Sequence, residues 1–400
     1  MKRVFYSFLI LCTFLLSACK SNDIPQLQQN ISSSSADIKT QSLNDNSITL
    51  LFGGDIMAHE VNYNISSYDK IWEDVKDVIS SADLSFANIE SPIDTTKEVS
   101  SYPKFNMNQA YVEEAVNAGF NVFSLCNNHT NDKDLQGIKE TEKTMAKIAA
   151  AAKENNKNIY YSGLRVNNEE NFTYNVINCK SWKIVFLPVT EILNQMTFTS
   201  YINYQPPDHN ARKKLFKYIK EIKLKEKCDL FILSLHTYEP EYIRTVSEDQ
   251  ENYYKELLDV GVDIIMANHT HLIKDRKVVV DTTTNSDKLI MYANGNVISG
   301  QRKKPDFISE YPDFERDNTG DGLLYKVTLT KDENGRIEIL KADPFFITTY
   351  INTDYEFIIK KMDDNFVNYL YDIGRIDWAK YIQKRMRVNK KETKDLIEWR

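Results

Sequence analysis

The chain has 400 residues, with 50 Lys and Arg against 57 Asp and Glu and a formal net charge of −7. This balance gives ordinary solubility and lacks the basic footprint of a nucleic-acid-binding protein, so no nucleic acid is expected among its partners. The length can bury a large core, as one elaborated domain or as one domain with an appendage. Of five cysteines, Cys12 and Cys19 lie near the amino terminus, leaving Cys126, Cys179 and Cys228 among hydrophobic neighbours. That odd count argues for buried thiols over a disulfide framework, with one pair left open.

Lys2 and Arg3 open the chain with positive charge, Val4 to Leu15 form a short apolar run, and Leu16-Ser17-Ala18-Cys19 closes it. A membrane span needs roughly 18–20 apolar residues, more than this run supplies. The segment resembles a bacterial lipobox, which implies a signal peptide over 1–18, cleavage before Cys19 and acylation of Cys19. The expected address is the cell membrane, lipid-anchored on the extracytoplasmic face, where each buried lipid CH₂ contributes roughly 0.8 kcal/mol. Removing Lys2 and Arg3 takes the formal charge from −7 to −9. Residues 19–47 are rich in Ser, Asn, Gln and Asp without hydrophobic period. They read as a flexible tether with a reach of roughly a few tens of Å.

From Ser47 onward β-like runs alternate with helical patterns, which predicts an α/β layered fold. Ile48–Phe52 is a predicted strand, and Tyr68–Ser81 places Ile71, Trp72, Val75, Val78 and Ile79 at helical spacing. Asp83–Ile89 is a second strand. Asn108–Ala118 is a predicted helix ending at Gly119, before a strand at Asn121–Leu125. Gln136–Glu154 is a long amphipathic helix. Strands follow at Ile159–Ser162, Phe172–Asn178 and Lys183–Val189, the last two joined by a turn over Cys179–Trp182. A charged helix at Asp208–Lys227 precedes the strand Cys228–Leu235, and the helix Glu248–Leu258 precedes the strand Val262–Met266. Leu289–Ala293 leads into Asn294-Gly295-Asn296, and Asp332-Glu333-Asn334-Gly335 is a hairpin signal between Leu323–Thr330 and Arg336–Lys341. The main domain is expected over 48–345, followed by a small helical extension over 346–400 that carries Trp378, Tyr381 and Trp399.

Polar clusters end several of these strands: Gly54-Asp55, Asn88-Ile89-Glu90, Asn127-Asn128-His129, His236 and His269-Thr270-His271. Open α/β sheets collect ligands at strand carboxyl ends. Four of the six histidines fall in these clusters; His59 and His209 lie outside. Carboxylate, amide and imidazole without thiolate suit divalent Mn, Zn or Fe, and the set reads as a dinuclear hydrolase-like centre. Bland readings stand beside each: Gly-Gly-Asp as a strand-ending turn, Asn88 and Glu90 as caps, Asn127-Asn128 as a positive-φ turn, and His236 as a satisfied core residue. Asp132 or Asp134 would orient His129 through an outer-shell hydrogen bond or cap the helix that follows. An extended His269-Thr270-His271 would point both imidazoles the same way, a spacing suited to chelation.

Gly54-Asp55-Ile56-Met57, Asn88-Ile89-Glu90, Ser124 to His129, His236 with Glu241-Tyr242, Ala267 to Leu272 and Tyr292 to Val297 occur in the order of the motifs of the CapA family of capsule or poly-γ-glutamate biosynthesis proteins. The chain resembles that family over roughly Ser47 to Gln301. The resemblance implies a layered β-sandwich flanked by helices, like that of the calcineurin-type metallophosphoesterases. Three departures stand out: Met57 where a working metallophosphoesterase usually has His, His236-Thr237-Tyr238 for His-Trp-Gly, and Ala267 or Asn268, together with Thr270, where Gly and Pro usually flank the paired histidines.

The resemblance implies one or two divalent ions, Mn, Zn or Fe. Glu90 would bridge, with Asp55 and one of His269 and His271 on one ion and Asn128 and His236 on the other; Asn88 and Asp132 would support them. His129 would be the proton donor, and His59 a steric substitute at most. The implied partners are an anionic envelope polymer such as poly-γ-glutamate, the membrane through the lipid anchor, and membrane-bound polymer synthase subunits. The implied role is in synthesis, export or anchoring of that polymer. The alternative is a non-catalytic polymer-binding or assembly lipoprotein that retains the phosphoesterase fold, a reading Met57 favours.

Overall fold

The computed structural model describes residues 46–165 and 171–396. The signal, the Cys19 lipobox, the tether up to residue 45 and Trp399 lie outside these residues.

The long β-branched and aromatic runs form two sheets. One is built on β1 (Ser47–Ile56), β2 (Leu84–Ile89), β3 (Val122–Ser124) and β4 (Tyr160–Ser162). The other is built on β5 (Asn175–Cys179), β6 (Trp182–Thr190), β7 (Leu230–His236), β8 (Ile264–Asn268), β9 (Arg276–Val280) and β10 (Asp287–Met291). The chain then returns to the first sheet with β11 (Asn296–Ile298), β12 (Asp321–Lys331), β13 (Ile337–Ile351) and β14 (Phe357–Lys361), and ends on β15 (Asp395–Leu396). The first sheet runs β14-β13-β12-β1-β2-β3-β4, with β11 also beside β1; the second runs β15-β9-β10-β8-β7-β6-β5.

The sheets pack face to face. Leu50, Phe52 and Phe86 of the first meet Ile184, Phe186, Ile232 and Met266 of the second in one buried cluster, with the Phe86 and Phe186 rings 5.4 Å apart. Helices cover the outer faces. Gln109–Ala118 and Asp134–Glu154 bury Tyr111, Val112, Ile138 and Met145 against the first sheet. His209–Glu226 and Glu248–Asp259 bury Leu215, Ile219, Tyr254 and Leu257 against the second. This is the α/β sandwich flanked by helices that the sequence predicts. No helix among the described residues is long and apolar enough to cross a membrane, and Cys126, Cys179 and Cys228 are free thiols.

Several expectations change. Tyr68–Ser81 is not one helix but two short turns, Asp69–Trp72 and Lys76–Ile79. Val75 takes φ −120° between them, yet all five apolar residues stay buried, so the spacing marked the buried face and not helix continuity. Strand β9 was not foreseen: Arg276 and Lys277 mask it, and pairing with β10 on one side and β15 on the other defines it. A boundary at residue 345 falls inside β13, which runs on to Ile351 and pairs with β14. The segment after 345 therefore opens with sheet, because Ile347, Tyr350, Ile351 and Phe357 find buried places there. Helices follow only at Asp364–Asp372 and Ile376–Glu392, packing Phe366, Leu370, Trp378 and Tyr381 against Tyr350 and Phe357.

Candidate metal centre

The parallel strands β1, β2, β3, β7 and β8 all deliver their carboxyl ends to one edge of the sandwich. At the end of β1 the backbone of Gly54 lies against Gly295: an added Cβ would sit 1.8 Å from the Gly295 carbonyl oxygen. Only glycine allows that approach. It lets the Asp55 amide donate to Gly295 O at 3.0 Å and brings β11 into register with β1, Asp55 opposite Asn296. The Asp55 carboxylate is thereby held at the strand tip, 1 % exposed.

Asn88 on β2 donates to Asp55 Oδ1 at 2.8 Å, and its amide nitrogen lies 3.5 Å from His236 Nδ1. It therefore ties two elements of the site together. Glu90 follows directly after β2, its amide donating to Ile56 O at 3.1 Å. Asn127 donates to Ile89 O at 2.7 Å and accepts from the His129 amide at 3.1 Å, so it shapes the turn that presents its two neighbours. Asn128 Oδ1 lies 2.8 Å from His236 Nε2, and His129 Nδ1 lies 2.7 Å from Asp132 Oδ2. Asp134, the other expected partner of His129, instead begins the helix Asp134–Glu154.

The paired histidines depart from the expected extended geometry. His269 and His271 have φ of +100° and +57° in the loop after β8, so strand alternation does not direct them. Their rings nevertheless converge: His269 lies 4.8 Å from His236 and 6.0 Å from His271 by centroid. His271 Nδ1 is 3.4 Å from Asp55 Oδ2, and its Nε2 is 3.7 Å from Glu90 Oε1. Glu90 Oε1 is also 3.9 Å from His236 Nε2.

Three sets of donor atoms lie within 4.8 Å of one another: Asp55, Glu90 and His271; Glu90, His236 and His269; and Glu241, His269 and His271. Glu90 is common to the first two. Neither of its carboxylate oxygens has a hydrogen-bond partner although the side chain is fully buried, and His269 Nδ1 is similarly unpartnered. A buried, unpaired carboxylate is costly. Burial, with the neighbouring charges of Asp55 and Glu241, pushes the Glu90 pKa well above its usual range. Burial pulls His236 well below the ordinary imidazole value and His269 down to about 3, so both keep the free lone pair that ligation needs. Burial also pulls on His271, but the hydrogen bond and charge of Asp55 outweigh it and leave that group raised. A divalent cation would neutralise the carboxylates and use the orphaned donors, so the residues present fit such an ion.

The centre opens into a cleft of about 660 Å³ lined by Met57, His59, Asn128, His129, Glu241 and His271 among others. His59 takes no part in the donor sets; burial, then the nearby His271, drives its pKa down to about 3, and its Nδ1 accepts from the Gly300 amide at 3.1 Å. His209 stands far along the chain at the start of an exposed helix face. Sequence reasoning singled out neither Glu241 as a donor nor Asn296, whose Oδ1 lies 3.0 Å from His271 Nδ1. The Asn294-Gly295-Asn296 turn was the available signal for the second. Asn194, 3.3 Å from His129 Nδ1, carried none.

A family model described as bacterial capsule synthesis protein PGA_cap matches residues 49–301. The chain is 26% identical over 310 residues to the capsule biosynthesis protein CapA of Bacillus anthracis, covering 74% of this chain and 70% of that one. It is 24% identical over 313 residues to the PGA biosynthesis protein CapA of Bacillus subtilis strain 168, covering 76% and 74%. A hypothetical protein from Thermus thermophilus of known structure aligns at 16% identity with a TM-score of 0.42, over 75% of this chain and 98% of that one. The matched span contains every donor described above, and the chain belongs to the bacterial capsule synthesis protein family.

Proposed function

We propose that this protein works in the synthesis, export or anchoring of an anionic envelope polymer of the capsule or poly-γ-glutamate kind, through a two-ion hydrolase or transferase centre. Family membership and the two CapA relatives support the polymer role. One observation carries the centre: the buried Glu90 carboxylate, without a hydrogen-bond partner, is shared by two donor sets. Asp55, Glu90 and His271 would hold one ion, and Glu90, His236 and His269, with Asn128 beside His236, the other. Bound there, divalent ions would supply Lewis-acid charge neutralisation and lower the pKa of water. Asn88 fixes Asp55 against His236. Asp132 holds His129: a carboxylate only accepts, so the Nδ1 proton points to it and Nε2 is left to exchange a proton with a leaving group. The protein would sit on the extracytoplasmic face of the membrane through Cys19, next to membrane-bound synthase subunits.

Met57, buried at the cleft where a phosphoesterase carries His, favours a second reading. A thioether is a poor donor to hard or borderline ions, and a polymer-binding or assembly lipoprotein needs none. Elemental analysis of the full-length chain, purified in detergent without chelators, separates the two. The enzyme reading expects one or two equivalents of Mn, Zn or Fe, reduced in Asp55→Ala, Glu90→Ala and His271→Ala while the circular dichroism spectrum is retained. A metal-free wild type would leave the binding protein as the better reading.

A further inference from the structure

Lys303 and Arg316 are exposed cations on the wall of the cleft. Many of this protein's lysines and arginines sit within ion-pair distance of a carboxylate, Lys70 on Glu356 and Arg302 on Asp321 among them. Among the described residues, neither Lys303 nor Arg316 does. The Arg316 guanidinium instead lies 5.1 Å over the Tyr242 ring, and that ring lies 6.1 Å from the His271 ring at 32°. Tyr242 is pinned by its amide, which donates to Thr270 O at 3.0 Å between the paired histidines. A single aromatic ring thus separates the guanidinium from a donor imidazole. Lys303 follows closely after Gly300, whose amide binds His59 Nδ1, and both cations act electrostatically on that same buried ring.

Two acidic residues line the same cleft, Glu60 and Glu241. Glu241 is drawn into a donor set with His269 and His271, so it serves the centre and not the rim. Two unpaired cations on a concave wall focus their field on whatever enters. Arginine offers a planar fork and lysine a mobile point charge, both suited to oxyanions.

We propose that Lys303 and Arg316 form an oxyanion subsite of the cleft, gripping a carboxylate or phosphate of the bound chain beside the group presented to Asp55, Glu90 and His271. This rests on the reading of the cleft as the polymer site and adds the residues that select acidic chains.

The test uses full-length protein in neutral detergent micelles, with fluorescent poly-γ-glutamate and fluorescent oligo(glycerol phosphate) as separate probes and metal content measured on each sample. Lys303→Gln and Arg316→Gln should each weaken binding by about tenfold, the usual worth of one charge-assisted contact. The double variant should bind more weakly still, with a shallower salt dependence. Metal content and melting temperature should stay at the wild-type value, and Lys217→Gln, an exposed charge on a distant helix, should bind like wild type. The probe whose affinity falls identifies the carboxylate or the phosphate as the recognised group. Wild-type affinity of the double variant for both probes overturns the subsite, as does a wild type that binds neither. Loss of metal from the wild type with the binding differences intact sinks the two-ion centre and leaves the subsite standing.

Discussion

The Nδ1 of His129 lies 2.7 Å from Asp132 Oδ2 within a single turn, both side chains almost wholly buried. The same Asp132 oxygen accepts from the Phe105 amide at 2.8 Å, and the Phe105 ring stands edge-on to His129 at 4.7 Å. An imidazole held on two sides in this way is positioned, not merely accommodated. His129→Ala should therefore keep metal but lose turnover by about 10²–10⁴-fold on whichever of poly-γ-glutamate or a generic phosphodiester is cleaved. Asn128→Ala should lose metal instead, since its Oδ1 sits 2.8 Å from His236 Nε2. Rates for His129→Ala equal to wild type at matched metal loading would remove His129 from the chemistry.

Asp321 is the anchor of the carboxy-terminal helix. Its Oδ1 accepts from Arg302 Nη1 at 2.8 Å, and its Oδ2 accepts from Arg385 Nε at 2.7 Å and Asn389 Nδ2 at 2.8 Å. All four side chains are buried. Asp321→Asn leaves two guanidinium groups buried without their counter-charge, and breaking such a cluster typically costs about 3–5 kcal/mol. Urea denaturation should show this as a lower midpoint; a change within about 0.5 kcal/mol, the level of an ordinary surface substitution, contradicts the assignment.

Glu356 links the turn after β13 to the helical segment near residue 70. It accepts from Ser66 Oγ at 2.7 Å, Asn352 Nδ2 at 2.9 Å and Lys70 Nζ at 3.0 Å. These contacts, the Ser66 bond foremost, hold its carboxyl down to about 2 from the ordinary 4.5. A depressed folded pKa contributes stability that is present above the unfolded value and lost as pH falls through the folded one. Glu356→Gln should thus melt below wild type at pH 7 by roughly 2 °C. The gap should close between pH 4.5 and about 2. A gap that persists unchanged at the acid end would mean that the charge is not its source.

The proposed acylation of Cys19 makes a simple prediction for cell fractionation. Cys19→Ala should leave the membrane fraction and accumulate as uncleaved precursor or in the medium. Unchanged detergent partitioning together with an unchanged amino-terminal mass would exclude the lipid anchor.

The sequence by itself determined the strands that build the centre and what each carries at its tip, though not β9, β11, β14 or β15. Apolar runs such as Ile48–Phe52 and Phe231–Leu235 were predicted as strands, and Asp55, Glu90, Asn128, His129, His236, His269 and His271 stood where those runs stopped. Local pattern reaches that far because alternation and turn chemistry are properties of neighbouring residues. It misjudged the His269–His271 segment, where positive φ at both histidines replaces the extended geometry that spacing suggested. Only the tertiary structure decided that Glu90 stands in two donor sets, that Glu241 joins the histidines, and that Lys303 and Arg316 share a wall with them. Those facts follow from pairings between distant segments, such as Asp55 beside Asn296 and Gly54 against Gly295. Register across a sheet is fixed by the burial of both faces at once, a condition met only when the two sheets close on each other.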